Sequence, residues 1–205
     1  MSKASQPPEP ADREDPALPE EPMAGFRATS GGVTARFAKP EAAIIRDLVG
    51  QVVELVVADI PSADVPSAGI DELAAMVGIS DATEVPDDPV LARLLPDGYR
   101  DDPEAAQDFR RFTESGLRSA KVESAQLLLQ TLPAGGGRVR LSADQAEAWL
   151  RSLNDVRLAL GVRLGVTDDF DGLSEDVKPD DPRHAYIQVY QWLAFIQESL
   201  VAALS

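Results

Sequence analysis

Four cationic side chains on one predicted helix, Arg110, Arg111, Arg118 and Lys121, form the clearest basic group in a strongly acidic chain. With Glu114 they gather on one side of a helix read from Pro103 to about Leu132, while Ala105, Phe109, Phe112, Gly116, Ala120 and Leu127 face the other way. Such a stripe can hold an acidic surface. It has two readings. One is a solvated face tied by the Glu114 to Arg118 spacing, worth only about 0.3 kcal/mol. The other is a docking strip for an acidic partner, oriented by a net charge of −16 that repels such a partner everywhere else. A second polar group, Asn154, Asp155, Arg157 and Arg163, is embedded in an apolar helical sequence. An unpaired buried charge is strongly disfavoured, so Asp155 and Arg157 are expected to make intramolecular pairs, and Arg157→Ala to orphan a buried acid.

Other chemistries find less support. His184, the sole histidine, sits in the first turn of the last helix near Asp180 and Asp181 with no nucleophile or second base identifiable, and reads as a surface residue. With no cysteine the chain has no disulfide, thiolate nucleophile or cysteine-ligated metal. The run from Asp168 to Asp181 holds seven acids and one lysine, and part of it looks like a calcium loop. The register fails: with Gly172 at the sixth position, Thr167 stands where the first aspartate belongs and Lys178 where the bidentate glutamate belongs. No metal site or cofactor is assigned. The string ELAAMVGISDATEV, residues 72–85, resembles the turn of a DNA-binding helix-turn-helix. Residues 80–88 nevertheless carry four acids and no base, so a recognition helix there would be repelled by phosphates, and no direct DNA binding is expected.

The elements that must position these groups follow from composition and periodicity. Residues 1–24 hold six prolines, six acids and two bases, the composition of a disordered acidic tail. Residues 25–205 read as one domain, long enough to bury a core. GFRATSGGVTARFA opens it as a hairpin turning at Gly31-Gly32, and Arg138 to Leu141 is an extended piece that could add a third strand. Helical spacing places long helices near 41–57, 103–132, 142–165 and 183–204, with short ones at 70–77 and 90–95. Asp88-Pro89, Asp102-Pro103 and Asp181-Pro182 each pair an aspartate cap with proline at the first helical position. The helix from Ser142 carries a capping box with Gln145 and a stripe of Ala146, Trp149, Leu153, Val156, Leu160 and Leu164, and is expected at the centre. The last helix should bury Tyr186, Val189, Leu193, Ile196, Leu200 and Leu204, and its further apolar surface reads as docking on another element or on a second copy, a homodimer. The predicted fold is α+β, mainly α: a bundle of about four long helices with a small amino-terminal hairpin sheet. With neither a membrane-spanning run nor a secretory leader in this sequence, a cytoplasmic location is expected.

Three strings, DPVLARLLPDGYRDDPEAAQDFRRFTESGLRSAK (88–121), WLRSLNDVRLALGVRLGV (149–166) and VYQWLAFIQESLV (189–201), together resemble an actinobacterial family, the AosR oxidative-stress regulators. The resemblance covers about residues 26–204. It implies an intracellular protein associated with transcriptional control of antioxidant responses, and supplies no catalytic site. A family mechanism that works through a thiol switch could not operate in this chain, which has no cysteine. The expected function is therefore noncatalytic regulation through contact with a protein partner, a transcription or sigma factor being of the kind the resemblance suggests. The alternatives are a structural or assembly partner and, third, an enzyme of unknown type.

Overall fold

The computed structural model of the protein describes residues 25–58, 85–99, 101–166, 177–178, 181 and 183–205. The acidic tail, the short helix at 70–77, the helix-turn-helix-like string up to residue 84 and the calcium-loop-like run up to residue 176 lie outside the described residues. Within them the chain runs β1 (Arg27–Thr29), β2 (Gly32–Phe37), α1 (Lys39–Ala58), α2 (Pro89–Leu94), α3 (Pro103–Thr131), β3 (Gly137–Leu141), α4 (Ala143–Leu164) and α5 (Arg183–Leu204). This is the mainly helical α+β architecture expected from the sequence.

The sheet is antiparallel in the order β1-β2-β3, with Val33 opposite Leu141 and Ala35 opposite Val139. The two-residue alternation therefore puts Val33, Ala35, Phe37, Val139 and Leu141 on one buried face. Of the two turn glycines only Gly32 takes a positive φ, 134°, and a Cβ there would meet the Leu141 carbonyl at 2.0 Å. Phe26, Phe37 and Trp149 close the sheet onto α4, with ring centroids 5.5 to 5.9 Å apart. Buried indole needs a partner for its N–H, and Trp149 Nε1 donates to Thr131 Oγ1 at 2.7 Å.

Helix α4 occupies the centre, touching every other helix and strands β2 and β3. Both halves of its capping box form, Gln145 N donating to Ser142 Oγ and Ser142 N to Gln145 Oε1. It ends on Gly165, whose φ of 68° is the left-handed conformation that glycine adopts without strain. Its stripe from Ala146 to Leu160 is buried as the spacing requires. Helix α5 buries Ile187, Leu193, Ile196 and Leu200, whereas Tyr186 and Leu204, expected in the core, are exposed. The carboxylate of Asp181 accepts from Arg183 N at 2.8 Å ahead of its first turn.

Candidate functional site

The amino half of α3 is turned the opposite way from the expectation. Arg110, Glu114 and Arg118 are 4%, 4% and 6% exposed, while Phe109 and Phe112, placed on the side opposite the charges, are 40% and 60% exposed. The cause lies in what α3 packs against. The last carbonyls of a helix have no partner within it and carry its negative end, so they attract cations. Two helices end against α3. Arg118 Nη1 donates to the Val56 carbonyl in the last turn of α1 at 2.6 Å, and Arg110 Nη2 to the Leu95 carbonyl at the end of α2 at 3.1 Å.

Glu114 sits between the two guanidinium groups. Its Oε2 accepts from Arg110 Nη1 at 2.6 Å, and its Oε1 from Arg118 Nε at 3.0 Å and Nη2 at 2.7 Å. Asp97 accepts from Arg110 Nη2 at 2.6 Å, so among the described residues two bases meet two acids. Burial alone would lower the pKa of Arg110, but hydrogen bonds to Asp97 and Glu114 outweigh it and the net shift is upward. The arrangement is structural: it ties the ends of α1 and α2 to α3. Arg46 does the same at the other end of α3, donating to the carbonyls of Leu129 and Leu132.

The basic stripe is thus not a surface strip. Arg110 and Arg118 are enclosed, and Lys121 Nζ reaches inward to Asp155 Oδ1 on α4 at 2.7 Å. Arg111 alone of the four stays half-buried without an ion pair among the described residues. The second predicted group does not form one cluster either. Asp155 is buried and paired as expected, with its pKa raised because loss of water outweighs the attraction of Lys121. Arg157 pairs with no acid among the described residues. Its Nη1 donates to Gln197 Oε1 at 2.6 Å and its guanidinium lies 5.3 Å from the Tyr190 ring centroid, so Arg157→Ala would orphan no carboxylate. Asn154 and Arg163 are exposed, Arg163 reaching Gln51 on α1. These contacts fasten helices together; Asp97, Arg110 and Glu114 also border one small groove beside Phe109.

Turning the charges inward turns the aromatic face outward. Phe109, Phe112, Gly116 and Ala120 lie along the exposed side of α3, with Leu117 at its edge. Tyr99, from the loop after α2, packs edge-on against Phe109 at 5.9 Å. The Phe109 ring lies on Gly98, where a Cβ would come within 2.7 Å of it. Beside the ring runs a small groove walled by Leu95, Gly98, Thr113 and Leu117 together with the charged Asp97, Arg110 and Glu114, with a cavity volume of about 10 Å³. That is room for about one water molecule, far below the roughly 300–1,000 Å³ of small-molecule sites. A contiguous exposed apolar face of this kind is the usual mark of a protein contact.

Elsewhere, His184 is half-buried and faces Gln188 at 3.1 Å. Among the described residues no group of three or more His, Asp or Glu could hold a metal ion. No described helix is long and apolar enough to cross a membrane.

A family model described as a domain of unknown function, DUF2017, matches residues 23–204. Two similar proteins, from Mycobacterium bovis and Mycobacterium tuberculosis, are each named oxidative stress regulator AosR. Each is 39% identical over 179 residues, covering 80% of this chain and 78% of the relative. No solved structure matches significantly.

Proposed function

The chain belongs to the DUF2017 family, and on that premise we propose that it is a noncatalytic regulator of oxidative-stress responses that acts by touching another protein. The regulatory role rests on the names of its relatives. The mode of action rests on one observation, the exposed Phe109–Phe112 face of α3, held outward by a buried ion group that makes the helix too costly to turn over. On this reading transcription is controlled through a cytoplasmic partner, because a net charge of −16 opposes direct contact with DNA phosphates. Oxidant detection by thiol chemistry falls to that partner, since this chain has no cysteine.

The test is a photo-crosslinking residue at position 112 of the full chain, in cells with and without oxidant. A specific partner captured at 112, but not from the exposed position 147 on α4, is the expected result. Absence of any adduct at 112, with a normal stress response in a Phe112→Ser strain, would overturn the docking role of this face.

A further inference from the structure

We propose that the occupant of the α3 face is a basic amphipathic segment of a partner protein, its apolar side on Phe109 and Phe112 and its cations on the surrounding acids. This deepens the docking reading above and rests on it.

The argument is one of charge left over. Helix α3 carries four bases and four acids. Arg110, Arg118 and Lys121 point inward, where Glu114, Asp97 and Asp155 neutralise them. What remains outside is Glu104, Asp108 and Glu123, all exposed, against a half-buried Arg111. Asp101 and Asp102, also exposed, extend the acidic border at the amino end. The partial positive charge of a helix start, about half a unit, does not offset this border. Arg100 also belongs to this stretch of sequence but lies outside the described residues. The same packing that buries the cations therefore produces an apolar face with an acidic rim, which is complementary to a basic amphipathic segment and repels an acidic one. A second copy fits less well, because two-fold docking would set this rim against itself in two chains of net charge −16.

The probe is a synthetic amphipathic helix with leucine on one side and lysine on the other, labelled and titrated with the full chain, beside its glutamate-for-lysine counterpart. The lysine peptide should bind about tenfold or more tighter than the glutamate peptide, and less tightly as salt rises. Phe112→Ser should weaken it about tenfold, as should Asp108→Lys with Glu123→Lys, provided circular dichroism and melting show both variants folded. Reversing Asp144 and Glu147 on α4 should change it little. Equal weakening by the α4 reversal would mean attraction to net charge alone and would overturn the proposal. So would equal binding of the two peptides, binding of neither, or protection of Phe112 from solvent in the free monomer by the chain's own residues. Sedimentation as a dimer that Phe112→Ser dissociates would assign the face to a second copy. If position 112 still captures a partner in cells but through an acidic segment, the docking reading stands and the basic partner falls; if it captures nothing, both fall.

Discussion

Helices α3 and α4 both carry an i,i+4 glutamate–arginine pair, and the two pairs live in opposite worlds. Glu147 and Arg151 on α4 are 2.9 Å apart with more than half of each side chain in water. Glu114 and Arg118 on α3 are 2.7 Å apart and almost wholly enclosed. Identical spacing thus produces a weakly held surface pair in one helix and a structural fastening in the other. The difference comes from the neighbours. Helix α4 meets other elements through side chains, so its apolar stripe turns inward in the ordinary way. The amino half of α3 meets two helix ends, and the unpaired carbonyls of those ends select its cations.

The contrast can be broken most forcefully at the two inward faces. Trp149→Ala, at the centre of the aromatic group, should cost about 4 kcal/mol in a denaturant melt. Glu114→Ala should cost about 3 kcal/mol, because it leaves two enclosed guanidinium groups facing each other. A midpoint unchanged in Glu114→Ala would show that α3 can expose this side, removing the reason for its outward aromatics. Lys121→Ala should cost about 2 kcal/mol at neutral pH by stranding Asp155. The sign of its pH dependence follows from the raised pKa of Asp155. An acid with a raised folded-state pKa favours folding when protonated and loses that contribution as pH rises through the folded value, so the deficit of Lys121→Ala should shrink as pH falls toward about 4. Chemical melts of both proteins across that range would show it, and a deficit that grows in acid would contradict it.

Smaller effects sharpen the same comparison. Arg157→Ala loses a hydrogen bond and a ring contact but orphans no acid, so about 1 kcal/mol is expected, measured by the same melts. Phe112→Ser should change stability by less than about 0.5 kcal/mol, as should Arg151→Ala. A loss of several kcal/mol for Phe112→Ser in dilute monomer would place that ring in a core and remove the docking face altogether.

What the residues determine alone is the set of elements and their stripes. The capping box at Ser142, the aspartate–proline starts at 88 and 102, the hairpin at Gly32 and the Ala146–Leu160 stripe are local chemistry, decided within a few residues of themselves. The two stripes of α3 were legible in the same way, one charged and one aromatic. Which of them faces inward was not, because periodicity measures the angle between stripes and is silent on what lies opposite. Local signals did exist: Leu95 is followed by proline, and α1 runs out after Ala58, so each helix leaves carbonyls needing donors. That the donors would be Arg110 and Arg118, fifteen and sixty-two residues further along, depends on how the helices pack. Sequence fixes how many cations α3 carries; only the tertiary structure decides that they are spent inside, leaving an apolar, acid-rimmed face outside, since buried charge goes where buried carbonyls and carboxylates await it.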